Sequence, residues 1–137
     1  PDTADVLQVG VRGDAADPRR LILTLQLESG WHVNANPASL EFLIPTRIRS
    51  DDPGFVPVVD YPPGRPLEAG FERPVQVYDD GVRIPLRLPR HVPAGLTLKL
   101  QAQACSDDGR CLAPAEVPVP IPAGGRTDAG EGRDAAP

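Results

Sequence analysis

Leu21-Ile22-Leu23-Thr24-Leu25-Gln26-Leu27-Glu28 puts leucine at positions 21, 23, 25 and 27 and, from Thr24 onward, a polar side chain at each even position. Residues two apart share one face of a strand, so this stretch predicts a half-buried antiparallel strand with its leucines turned inward. Ser29-Gly30 closes it as a turn. The same period of two recurs in residues 6–11, 31–34, 42–49, 75–78, 82–88, 96–104 and 116–121, and no window of 12 or more residues carries a 3.6-residue stripe. Seven or eight short strands punctuated by Gly, Pro, Asn and Asp predict an all-β protein built as a β-sandwich. Pro45 and Pro85 lie inside two of these runs and should mark edges, bulges or strand switches. Residues 51–74 hold six prolines and three glycines and read as a long surface loop with one short strand near 55–61. Asp79-Asp80-Gly81 reads as a turn, and His91 as a surface residue of the loop 89–93. Residues 123–137 contain only Ala, Gly, Asp, Glu, Arg, Thr and Pro, which divides the chain into one domain over 1–122 and a flexible linker over 123–137.

Composition narrows the function. The 18 prolines in 137 residues far exceed an average of about 5% and oppose a helical bundle. Nineteen acidic against 14 basic residues give a net charge of -5, which repels nucleic acid and offers no basic anchor for an anionic membrane. No run of 18 apolar residues exists to insert into a bilayer. The start at Pro1-Asp2-Thr3, without Met or an apolar signal region, reads as that of a processed or excised domain. No Ser/His/Asp set, carboxylate pair, phosphate loop or EF-hand assembles at workable spacing. Two cysteines without a Cys/His cluster cannot build a tetrahedral metal site, so no cofactor or metal is expected.

What remains is Cys105 and Cys111. Leu96, Leu98, Leu100, Ala102 and Ala104 share one strand face, and Cys105 falls on the opposite one, away from the core. Ser106-Asp107-Asp108-Gly109-Arg110 then forms a turn-rich loop short enough to bring the two sulfurs together. Two readings of the pair stay open. As a staple, a loop of about 7 residues restrains the unfolded chain by only about 2.4 kcal/mol. As a redox pair it sits where a partner thiolate can reach it. Asp107 and Asp108 should raise the thiol pKa values, offset in part by Arg110. Such thiols suit a passive relay, attacked when oxidised and attacking only within a docked complex.

Several motifs, taken in order, resemble one known family. They are Gly30-Trp31-His32-Val33 followed by Ile44-Pro45-Thr46, the segment 71–78 from Phe71 to Tyr78, the strand 82–88, and Cys105-Ser106-Asp107-Asp108-Gly109-Arg110-Cys111 with Pro114 after it. Over residues 6–121 the chain resembles the N-terminal periplasmic domain of the bacterial thiol:disulfide interchange protein DsbD. The resemblance implies an immunoglobulin-like β-sandwich in the periplasm that acts as a monomeric protein-disulfide reductase domain. It implies electrons taken from a thioredoxin-like donor domain of the same membrane protein and given to periplasmic disulfide isomerases or a cytochrome-maturation thioredoxin. It implies Cys111 as the partner-facing sulfur and Cys105 as the resolving one. A cap loop with an aromatic residue would cover the disulfide, and Phe71, seven residues before Tyr78, matches that aromatic. Where the family has two acidic residues before the cap aromatic, this chain has Ala69 and Gly70, with Glu68 one step earlier. His32 and Asn34 match side chains that flank the cysteines, tyrosines in the family. Strand parity sets His32 opposite Trp31, so a buried Trp31 leaves His32 exposed.

Two other functions fit the residues alone: an immunoglobulin-like binding module whose disulfide only pins a hairpin, and a relative devoted to copper tolerance. The lack of Met argues against direct copper binding by the latter.

Overall fold

The computed structural model describes residues 1–90 and 92–122. Eleven strands account for nearly all its regular structure: β1 (Leu7–Asp14), β2 (Asp17–Leu27), β3 (Trp31–Asn34), β4 (Arg47–Ser50), β5 (Val58–Val59), β6 (Arg65–Leu67), β7 (Val75–Tyr78), β8 (Arg83–Arg87), β9 (Thr97–Ala102), β10 (Ala104–Ser106) and β11 (Ala115–Pro120). They form three antiparallel sheets, ordered β1-β2-β8-β5, β10-β3-β7-β6 and β11-β9-β4. The leucine face of β2 is buried, and it meets Val33 and Tyr78 from the second sheet and Ile48, Leu98, Leu100 and Val119 from the third in one apolar cluster. That is an immunoglobulin-like β-sandwich, with alternation supplying the inward faces. Among the described residues no helix is long and apolar enough to cross a membrane. The expected linker over 123–137 and the surface assignment of His91 lie outside the described residues.

Three expectations about strands change. The run 42–49 is a strand only from Arg47. Pro45 has no N–H to give to a ladder, and side-chain amides take the neighbouring carbonyls: Asn34 Nδ2 donates to Ile44 O at 2.9 Å and Asn36 Nδ2 to Thr46 O at 2.8 Å. Residues 35–46 therefore run as a fastened loop. The stretch 51–74 holds β5 where one strand was expected, and also β6, which its prolines concealed. The run 96–104 breaks at Gln103, where the chain leaves the β9 sheet and pairs with β3 as β10. Pro85, expected to mark an edge, bulge or strand switch, lies instead in regular register within β8, an interior strand between β2 and β5, and its carbonyl accepts from Asp60 N at 2.9 Å just past the end of β5.

One close approach holds the site loops to the sheet. A Cβ on Gly64 would lie 2.8 Å from Gln76 Cβ, 2.9 Å from Ala35 Cβ and 3.0 Å from Val77 N. None of these atoms is the far end of a flexible side chain. Gly64→Ala should lower stability by about 1–3 kcal/mol, read as a drop in the urea midpoint; an unchanged midpoint would contradict the packing described.

Candidate functional site: a hairpin disulfide beneath two loops

β10 and its return path carry the cysteines. Ser106 N donates to Arg110 O at 2.6 Å and Leu112 N to Ala104 O at 2.9 Å, so Cys105 and Cys111 face each other as a non-hydrogen-bonded antiparallel pair, the narrow kind. Their Cα atoms are 3.9 Å apart and the sulfurs are bonded. Gly109, at φ 97°, turns the loop in a conformation that other L-residues resist. Asp107 N donates to Gly30 O at 3.1 Å, tying the loop to the turn before β3.

The two sulfurs are not equivalent. Cys105 is 6% exposed, whereas Cys111 belongs to the exposed residues at the mouth of the hairpin. Cys105 does point away from the core cluster, as parity predicts, but it is covered rather than free. A cavity of about 300 Å³ beside it is lined by His32, Asn34, Leu43, Glu68, Phe71 and both cysteines, among others. The cover comes from two loops that hold each other. Phe71 stacks at a tilt on Phe42 with ring centroids 5.4 Å apart, and Arg73 Nη2 donates to Ser39 O at 2.6 Å. Both rings stay largely open to solvent, Phe42 at 66% and Phe71 at 40%.

His32 and Trp31 reverse the parity expectation: His32 is buried at 4% and Trp31 is half-buried. β3 is covered on both faces, by the sandwich core on the Val33 side and by the loops on the side of His32 and Asn34, so alternation carries no exposure signal there. Trp31 packs against the edge of the core and carries the Arg110 guanidinium over its ring, 5.8 Å from the centroid. His32 lies directly opposite Cys105 in the β3–β10 register, and its Nδ1 is 3.0 Å from Asp107 Oδ1. Asn34 lines the same cavity while its amide holds the loop at Ile44. Glu68 is an exposed wall of the cavity, followed by the exposed Ala69 and Gly70.

Tyr78 does not join the site. It is 2% exposed in the core cluster, donates its hydroxyl proton to Pro62 O at 2.8 Å and accepts from Asn36 N at 3.4 Å. Burial pushes its phenol above the ordinary 10.0, opposed by the Asn36 hydrogen bond. A folded pKa above the unfolded one makes this contribution complete below about pH 10 and lost as pH rises through the folded value. The denaturation midpoint should therefore fall from about pH 10 upward, and Tyr78→Phe should flatten that fall; an identical alkaline profile in the variant would contradict it.

The residue that sequence reading missed is Phe42, placed in a strand when it is half of the aromatic pair over the site. Pro45 was the available signal, because a proline three residues on argues against a continuous strand. Around the loop, the Ser106 hydroxyl donates to Asp108 and, with Arg110 nearby, holds that carboxyl below its ordinary value. Arg65 does the same for Asp79 through a two-bond ion pair at 2.6 and 2.9 Å, with a smaller contribution from His32.

Solved structures share this architecture. The N-terminal domain of DsbD from Neisseria meningitidis in the reduced form superposes with a TM-score of 0.58 at 17% identity, covering 85% of each chain. The N-terminal periplasmic domain of ScsB from Proteus mirabilis gives 0.57 at 20% identity, covering 84% of this chain and 46% of that one. No curated protein matches. At these identities the likeness establishes the fold, and the assignment rests on the family model for the thiol:disulfide interchange protein DsbD, N-terminal, which matches residues 2–121. This chain, with its bonded Cys105–Cys111 pair, belongs to that family and is a thiol-disulfide exchange domain.

Proposed function

We propose that the chain works in the periplasm as an electron relay between thioredoxin-fold proteins. The observation that carries this reading is the asymmetry of the pair, an exposed Cys111 bonded to a Cys105 that is 6% exposed beneath the loops. A donor thiolate attacks Cys111 Sγ, the Cys105–Cys111 bond breaks, and Cys105 leaves as a thiolate that takes up a proton. The donor's second thiolate then attacks its own mixed-disulfide sulfur and releases Cys111, so two electrons have moved and the donor is oxidised. Delivery runs the same steps in reverse: Cys111 attacks an acceptor disulfide and Cys105 resolves the mixed disulfide. Family membership supports this direction of use, and the likeness to the N-terminal periplasmic domain of ScsB supports the compartment. The donor is a thioredoxin-like domain of the same membrane protein; acceptors are periplasmic disulfide isomerases and cytochrome-maturation proteins. Phe71, Phe42 and the segment around Glu68 act as a cap that keeps small thiols off the bridge between partners.

The test is transfer itself. A reduced thioredoxin-fold protein mixed with the oxidised domain should leave two newly alkylatable thiols on the domain, counted by mass spectrometry. No transfer, under conditions where the donor reduces another protein disulfide, would leave the bridge a hairpin staple.

A further inference from the structure

Resting on the exchange reading above, we infer that His32, held by Asp107, is the proton acceptor that arms Cys105 for resolution. Three features converge. His32 is directly opposite Cys105 in an antiparallel register, a relation that sets the Cβ atoms about 5 Å apart on one face. Its imidazole is buried, with a side chain 5% exposed. Its Nδ1 is engaged by Asp107 Oδ1 at 3.0 Å, which fixes the tautomer and leaves Nε2 as the nitrogen able to exchange a proton. A histidine oriented by a carboxylate beside a thiol is an arrangement that activates nucleophiles. Here the carboxylate comes from the loop between the two cysteines, so the dyad exists only when that hairpin is in place.

The step balances within the mixed disulfide. The Cys105 thiol gives its proton to His32, the resulting thiolate attacks Cys111 Sγ, a Cys105–Cys111 bond forms, and the partner sulfur leaves as a thiolate carrying the electron pair. In the opposite direction His32 returns the proton to the Cys105 thiolate as it is expelled. Cys105 needs such help because burial and the Asp107 and Asp108 carboxylates all oppose its ionisation. The other charges around His32 are Asp79, paired with Arg65 beside β3, Glu68 on the cavity wall, and Arg110 over Trp31. Arg65 neutralises Asp79 and Arg110 stands on the tryptophan, which leaves Asp107 as the carboxylate in contact with the imidazole. Asp107 is thus a positioning residue that acts through His32.

A sign separates this account from simple electrostatics. Removing a negative charge beside a thiol ordinarily favours its thiolate and quickens attack. If Asp107 acts through His32, its removal slows attack instead. The full chain, reduced and mixed with dithiobis(nitrobenzoate), should release one thionitrobenzoate as Cys111 reacts and a second, in a unimolecular phase, as Cys105 closes the bridge. A thiol of pKa about 8.5 is only about 3% ionised at pH 7, so loss of the acceptor should slow the second phase about tenfold there. We expect that loss in His32→Gln, read as the rate of the second phase relative to the first, with the two proteins converging as pH rises past the thiol pKa. Asp107→Asn should be slower than wild type in the second phase, about threefold, while Asp108→Asn should be equal or faster. Asp107 is 64% exposed in its side chain, so this variant keeps the test decisive even if His32→Gln folds poorly. A faster second phase in Asp107→Asn, or an unaltered one in folded His32→Gln, would overturn the inference. Release of a single equivalent by the wild type would overturn the exchange reading and the inference with it.

Discussion

Cys105→Ala should accumulate a mixed disulfide with a thioredoxin-fold protein in a periplasmic extract, and Cys111→Ala should accumulate about tenfold less or none. The expectation follows from access. A thiolate attacks along the S–S axis and must reach the sulfur it will bond to. Cys111 is an exposed residue at the mouth of the cavity that Phe71 also lines, whereas Cys105 is 6% exposed within it. Removing Cys105 leaves the reachable sulfur and deletes the group that would resolve the adduct, so the adduct persists. Removing Cys111 leaves a thiol that a folded partner cannot approach. The variants can be compared on non-reducing gels with mass-spectrometric identification of the trapped protein. Equal trapping by both would contradict the division of roles between the sulfurs.

Phe71→Ala should quicken reduction of the bridge by a small dithiol by about fivefold to tenfold. Phe71 lines the cavity at Cys105 and leans on Phe42 at 5.4 Å, a contact of the kind worth about 0.5–1.5 kcal/mol beyond its buried area. An energy of that size shifts a closed-to-open ratio by roughly twofold to tenfold, and loss of the ring also removes cover outright. Phe42→Ala should act in the same direction and more weakly, since it removes the support and leaves Phe71. Stopped-flow reduction of the three proteins at equal dithiol checks both. Unchanged rates would mean that the aromatic pair does not gate the sulfurs.

The parts of the fold that were legible are those where one face meets the core and the other meets water. β2 and β8 lie where their alternation puts them, because a strand buried on one side writes its register into the sequence, whereas β3 and β7, covered on both sides, were placed by their turn signals. At the site the cause of failure is a second layer of loops outside the sheet. His32 looks like a surface residue by parity because parity knows only the core, whereas the loops at 35–46 and 67–74 bury it from the other side. β6 was hidden among prolines that read as punctuation, and Phe42 by an alternation that carried the run 42–49 across Pro45. The turn at Gln103 that swings β10 into another sheet left no mark in the leucine-alanine alternation, since Ala102 and Ala104 are both buried on either side of it. Of the residues singled out in advance, the cysteines, Phe71, Glu68, His32 and Asn34 gather around one cavity, and Tyr78 belongs to the core.

This arrangement also bears on why the bridge exists. The core cluster runs through all three sheets and includes neither cysteine. A staple across so short a hairpin contributes about 2.4 kcal/mol at most by chain entropy, to a domain that already has a continuous core. The hairpin instead sets one sulfur at the surface, the other beneath a cover, and a histidine opposite the covered one.

The most direct measurement is the equilibrium reduction potential of the Cys105–Cys111 pair against a glutathione or dithiothreitol couple. The relay account predicts a value less negative than about -300 mV, within reach of thioredoxin-fold donors. A value well below that would mark an inert structural bridge and contradict the account.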